Sequence, residues 1–203
     1  MSTFPALPSI NKKTSLHLEK EDINMTRRTA REIAVGLGFS LVMNEEFAED
    51  VLEGFFEPEH YKSLADENPL FEAYPDERQL EYIKTLVKLI FNHRLELDSH
   101  IAAHSKGWKV ERISKTAAAI MRCAICEILY LDDVPTAAAI NEAVELAKGY
   151  ENEDVVSFIN GILGSFAHCL EGEILQPPEA AEEPPQAEKE QTENLAKPQM
   201  DEK

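Results

Sequence analysis

Residues 132–170 read DDVPTAAAINEAVELAKGYENEDVVSFINGILGSFAHCL, and the spacing of their apolar side chains decides the fold. Pro135 has no amide hydrogen to give and biases the residue before it away from the helical region, so one helix ends ahead of it. Thr136 stands where an N-cap belongs. Ala139, Ile140, Ala143, Val144 and Ala147 then recur three and four residues apart, the period of a one-sided helix, and Gly149 suits its C-terminal turn. Val155, Phe158, Ile159, Ile162, Leu163, Phe166 and Leu170 repeat the pattern. Two amphipathic helices joined by a short turn follow.

The same rhythm runs outward from this block. Ile113, Ala117, Ile120, Met121, Ala124, Ile128 and Leu131 mark the helix that stops before Asp132, with Gly107 closing the preceding unit and Trp108 opening this one. Upstream, Asp76 is an N-cap for a long helix carrying Leu80, Ile83, Val87, Ile90, Leu97 and Ile101, interrupted only at Arg94 and reaching about His104. Thr26 caps a first helix, about 27–43, on Ala30, Ile33, Ala34, Leu37 and Leu41. A second, about 45–56, gathers around Phe47, Val51, Leu52 and Phe55. The stretch between Pro58 and Pro75 reads as a long connection with a short helix near 59–66. No convincing run alternates at period two. The fold class is therefore all-α, with two helical-bundle subdomains of about three helices each, 25–104 and 108–171.

Composition sets the limits. Five of the eleven prolines fall in 177–203 and two in the first eight residues. Residues 171–203 hold ten acids and three lysines with almost no large apolar side chain, a composition that cannot offset ordering entropy. We read 172–203 as a disordered acidic tail and 1–24 as a flexible N-terminal extension. The net charge is −18, and 25–170 alone carries 25 acids against 14 bases, which argues against a generic polyanion binder. Any nucleic-acid function must rest on a local basic patch or a basic partner. Nothing approaches the roughly 18 consecutive apolar residues of a membrane span, and the first 24 residues lack a signal-peptide core, so a cytoplasmic protein without membrane contact is expected. Three cysteines in such a chain read as free thiols.

Few constellations point to chemistry. Arg27, Arg28 and Arg31 open the first helix beside its apolar stripe. Planar guanidinium forks suit phosphate and base stacking, so the cluster is either an RNA contact or a solvated helix start with local ion pairs. Cys123 and Cys126 have metal or redox spacing, yet they sit inside a helix without a second pair and read better as buried thiols. His100 and His104 lack the glutamate of a zinc-protease motif. Asp132 and Asp133 belong to a turn. Gly161 and Gly164 suggest close helix packing. No phosphate loop, nucleophile elbow or nucleotide fingerprint occurs, and neither a metal site nor a cofactor is expected.

Several of these motifs occur together in a familiar order. Thr26-Arg-Arg-Thr-Ala-Arg-Glu-Ile-Ala-Val, then Arg112-Ile-Ser-Lys, Ile120-Met-Arg-Cys-Ala, Asp133-Val-Pro, Ala139-Ile-Asn-Glu-Ala-Val-Glu-Leu-Ala-Lys148, and Glu153-Asp154 followed by Phe158-Ile-Asn-Gly-Ile-Leu163, resemble the NusB family of transcription antitermination factors over about 25–170. The resemblance implies a non-enzymatic, all-helical protein. It would bind boxA-type single-stranded RNA with NusE, a ribosomal small-subunit protein, and act in the RNA polymerase antitermination complex, notably on ribosomal RNA operons. It also implies RNA contacts at Arg27, Arg28, Arg31, Lys148, Tyr150 and Phe158, and a partner surface at Asp154, with Lys115 and Glu127 as further members. The sequence departs from the family at Gly36 and Gly38, at Thr136-Ala-Ala where a lysine is common, and in its acidic tail. Two other readings stay open: an RNA-binding accessory to a ribosomal RNA methyltransferase system, and a helical scaffold or homodimer without RNA.

Overall fold

The proline-poor interior is helical throughout the computed structural model, which describes residues 24–44, 48–105 and 113–172. Among them are eight α-helices: α1 (Arg27–Asn44), α2 (Ala48–Phe55), α3 (Pro58–Glu67), α4 (Glu77–Asn92), α5 (Arg94–His104), α6 (Lys115–Tyr130), α7 (Thr136–Ala147) and α8 (Glu153–Glu171), with a 3-10 turn at Pro69–Phe71. The terminal extension through residue 23, the tail beyond 172, and the Phe47, Gly107, Trp108 and Arg112 positions lie outside the described residues.

Polar side chains fix most of the starts. Thr26 Oγ1 accepts from the Thr29 amide at 3.1 Å, Asp76 Oδ1 from Gln79 at 2.7 Å, and Asn152 Oδ1 from Val155 at 3.1 Å. Each satisfies one of the amides that a helix N-terminus leaves unpaired. Helix α7 differs from the sequence expectation. Pro135 occupies its cap position without a side-chain bond, and Thr136 is the first helical residue. Proline loses nothing there because the amide it lacks would have had no intrahelical partner.

The long helix expected from Asp76 to His104 is broken at His93, whose backbone (φ −102°, ψ 14°) leaves the helical region. The break lets α4 lie on α1 and α6 while α5 turns onto α6 and α8, which one straight rod could not do. A ring contact holds the corner: His93 lies 4.5 Å from Tyr130, centroid to centroid.

Helix α1 is the central element. It packs on α4 along one side and on α6 along another, so Ala30, Ile33, Leu37 and Leu41 are buried and so is Val35 off that stripe. The core is continuous from Met25 through Ile83, Leu86 and Ile90 of α4, Ile120 and Ile125 of α6, to Ile159, Leu163 and Phe166 of α8. Each such side chain contributes about 1.5–3 kcal/mol by leaving water. Gly38 permits the approach of α1 to α4: a Cβ there would stand 3.3 Å from Ile90 Cγ2.

Gly161 and Gly164 play no such part. Among the described residues a Cβ at either would meet nothing within 4 Å, and both face outward on α8, which overturns the packing role expected for them. With no contact to lose, the entropic penalty of a helical glycine is all that remains. Gly161→Ala should therefore raise unfolding stability by about 1 kcal/mol, and Gly164→Ala by a similar amount. Urea denaturation checks this; a loss of stability in either variant would mean that the face is covered.

Candidate nucleic-acid interface

The turn between α7 and α8 is built to hold its side chains still. The amides of Lys148, Gly149, Tyr150 and Glu151 donate to Val144, Leu146, Ala147 and Ala147 at 2.8–3.2 Å, so the chain reverses within one hydrogen-bonded loop. Two side chains anchor it to other helices. The Tyr150 hydroxyl donates to Glu32 Oε1 of α1 at 2.5 Å, and Ser114 Oγ, at the N-cap of α6, donates to the Glu151 carboxylate. Burial, and then the Glu32 bond, push the Tyr150 phenol above its ordinary value, so it stays a neutral donor. The turn thereby sits against the opening of α1.

That juxtaposition collects cations around one carboxylate. Lys148 is exposed and pairs with Glu145, three residues back on α7. The Lys148 ammonium, and with it the Arg28 guanidinium, hold the Glu145 carboxyl below the usual range. Arg28 and Lys148 come from helices far apart in sequence, and both are solvent-exposed. An exposed guanidinium and an exposed ammonium can each pair with a phosphate of a single strand.

The three arginines, however, do not act alike. Only Arg28 is fully at the surface. Arg27 lies half-buried with its guanidinium carbon 3.9 Å above the Tyr82 ring, and its Nη1 is buried without a hydrogen bond. Arg31 is inside the protein, 7% exposed at its side chain. Its Nε and Nη2 donate to Glu127 Oε2 and Oε1 at 2.8 and 2.9 Å, and its Nη1 to Glu142 Oε2 at 3.2 Å. The Tyr82 hydroxyl adds a third bond to Glu127, at 2.7 Å. Burial works against the Arg31 charge, but the Glu127 hydrogen bonds and field overcome it and hold the guanidinium firmly protonated.

Two expectations are corrected by this geometry. Arg31 cannot lie on RNA while its fork is filled by Glu127, and Glu127, with no exposed side-chain surface, cannot meet a partner. The physical reason is the double packing of α1: the flank of its stripe that would be a rim on a surface helix faces α6 instead. Tyr82, Glu142, Glu32 and Glu145 are members of this site that the sequence reading missed. One signal was available for the buried pair: Glu127 is the only acid in the otherwise apolar second half of α6.

Of the remaining residues, Phe158 is half-buried on α8 and packs against the core, and Asp154 is exposed in the first turn of that helix. Lys115 is exposed at the start of α6. It borders a cavity of about 360 Å³, lined also by Phe39, Val42, Met43 and the Asp98–Arg122 ion pair. The Cys123 and Cys126 thiols are buried; burial pushes Cys123 well above its ordinary value and Cys126 up to about 12, so neither is a poised nucleophile. Among the described residues no group of three or more His, Cys, Asp or Glu is arranged to hold a metal ion, and no helix is long and apolar enough to cross a membrane.

The comparisons with known proteins cover this helical region. The NusB family model matches residues 28–168. The chain is 43% identical over 141 residues to the transcription antitermination protein NusB of Acetivibrio thermocellus, covering 69% of this chain and 87% of that one. It is 35% identical over 140 residues to the protein of the same name from Clostridium botulinum, covering 69% and 98%. Among solved structures, T. maritima NusB superposes with a TM-score of 0.58 at 25% identity, covering 71% of this chain and 92% of that one. A second, described as antitermination factors NusB and NusE in complex with double-stranded RNA, shares the fold with a TM-score of 0.52 at 23% identity, over 69% and 94%. Matched from Arg28 in the first turn of α1 to His168 in the last turn of α8, the chain belongs to the NusB family.

Proposed function

We propose that this protein is a cytoplasmic transcription antitermination factor that grips boxA-type RNA together with NusE and supports processive transcription, notably of ribosomal RNA operons. It acts by binding, without catalysis. The observation that carries the reading is that the Tyr150–Glu32 bond sets the turn carrying exposed Lys148, paired with Glu145, against the opening of α1, where Arg28 is exposed. Family membership supports the same reading, as does the NusB–NusE–RNA assembly of a structural neighbour. Arg27, with its buried Nη1 lacking a hydrogen bond, and Phe158 extend the RNA surface; Asp154 and Lys115 are the residues proposed for NusE. An acidic body suits a basic ribosomal companion, since opposite potentials speed encounter and set orientation.

The test is an RNA titration of the purified complex with NusE. Arg28→Ala combined with Lys148→Ala should weaken binding on the order of tenfold at ~0.1 M salt and flatten the log K against log salt slope by about 0.7 per cation removed. Unchanged affinity and slope would reject the corner as the RNA site.

A further inference from the structure

One side chain joins the buried Arg31–Glu127 pair to the half-buried Arg27 at the opening of α1. Tyr82 of α4 is buried, and its hydroxyl donates to Glu127 Oε1 at 2.7 Å while Arg31 fills the same carboxylate from Nε and Nη2. The guanidinium carbon of Arg27 lies 3.9 Å from the centroid of the Tyr82 ring, over its face. The orientation of that face is therefore set in the core. Arg27 is also held differently from the cations around it: Arg31 is paired with Glu127 and Glu142, and Lys148 with Glu145. Among the described residues no carboxylate or other acceptor reaches the Arg27 side chain, and Nη1 alone of its three nitrogens is buried without a bond. An aromatic ring attracts the flat face of a guanidinium, whereas the N–H donors point outward in its plane. Stacking thus fixes Arg27 and leaves Nε and Nη2 for a phosphate, where a carboxylate partner would occupy them.

We propose that Tyr82 is a positioning residue for RNA binding: its ring holds Arg27 in the orientation that meets the strand, and the Arg31–Glu127 pair holds the ring. The proposal rests on the RNA reading of the opening of α1. Its physical basis is preorganisation. A long side chain that is immobilised only when the ligand arrives costs about two- to tenfold in affinity, and one already held does not. Arg31, which cannot touch RNA, thereby acts on it through Glu127, Tyr82 and Arg27 in turn.

The experiment titrates a boxA-type RNA into the complex with NusE for wild type, Tyr82→Phe, Tyr82→Leu, Arg27→Ala and the double variant Arg27→Ala with Tyr82→Leu, each at a temperature where it is folded. Tyr82→Phe keeps the ring and should bind within about twofold of wild type; Tyr82→Leu removes it and should bind about two- to tenfold more weakly. In the Arg27→Ala background Tyr82→Leu should cost nothing more, because no guanidinium is left to hold. General structural damage would weaken binding in both backgrounds. Equal losses from Tyr82→Leu with and without Arg27, or a loss in Tyr82→Phe as large as in Tyr82→Leu, would overturn the role of Tyr82 and leave Arg27 standing as an RNA contact. Should Tyr82→Leu not fold, the Arg27 side-chain NMR signals of the wild type decide: signals shifted upfield by the ring and perturbed by RNA support the proposal, and signals at their free-chain positions overturn it. If Arg27→Ala leaves affinity unchanged while Arg28→Ala with Lys148→Ala weakens it, the proposal fails and the RNA surface stands. If none of these variants alters RNA binding, the RNA reading itself fails and the proposal falls with it.

Discussion

Glu127→Ala is expected to lower the free energy of unfolding by about 3–5 kcal/mol, a large part of the total for a domain of this size. The wild-type carboxylate accepts two bonds from Arg31 and one from Tyr82 in a site closed to water. Removing it leaves a buried guanidinium with only the 3.2 Å contact to Glu142, and a buried phenol without an acceptor. The penalty comes from those stranded groups rather than from the intrinsic worth of the pair. Arg31→Met with Glu127→Leu, which strands only the Tyr82 hydroxyl, should recover most of the loss even though it deletes the ion pair outright. Urea denaturation monitored by far-UV circular dichroism separates the two variants. A loss below about 1 kcal/mol in Glu127→Ala would mean that water reaches the pair. The network joins α1, α4, α6 and α7, so its failure should also loosen the alignment of Arg28 with Lys148 and weaken RNA binding alongside stability.

The same network marks where sequence reading stopped. The one-sided periodicity of α1, α6, α7 and α8 was legible, as were the caps at Thr26 and Asp76, because those signals are local, whereas the break at His93 that separates α4 from α5 was not. Whether a flank of a helix is a rim or an interior face is not local. Arg31 looks identical in both cases until α6 is laid against α1, and Glu127 becomes a core residue only through that contact. Glu145 and Glu32 were illegible for the same reason: an acid on a helix surface acquires a role only when cations from another part of the chain are brought beside it. Gly161 and Gly164 failed in the opposite direction. A glycine pair suggests a close neighbour, and α8 turns that face to open solvent.

The connection from Pro58 to Pro75 shows how a region with weak periodicity is nonetheless fixed, and it yields the second large expected effect. Tyr61 of α3 is 2% exposed, and its ring lies 4.9–5.8 Å from those of Phe55, Phe56, Phe71 and Tyr74, mostly edge to face. Its hydroxyl donates to the Ala73 carbonyl at 3.1 Å, and Tyr74 closes the cluster by donating to the Phe56 carbonyl at 2.8 Å. One side chain thus ties α2, α3, the 3-10 turn and the approach to α4. Aromatic pairs in such geometry add to the area they bury. Tyr61→Ala should cost about 3–5 kcal/mol, because the four surrounding rings cannot collapse into the space of the one removed. Tyr61→Phe, which keeps the ring and drops one hydrogen bond, should cost about 1 kcal/mol. None of the groups that Tyr61 touches belongs to the corner formed by Arg28, Glu145 and Lys148. Tyr61→Phe should therefore leave RNA affinity unchanged at temperatures where it is folded, in contrast to Glu127→Ala. A parallel loss of RNA binding in Tyr61→Phe would show that the aromatic limb and the cationic corner move as one body, and would remove the grounds for assigning RNA contact to the corner alone.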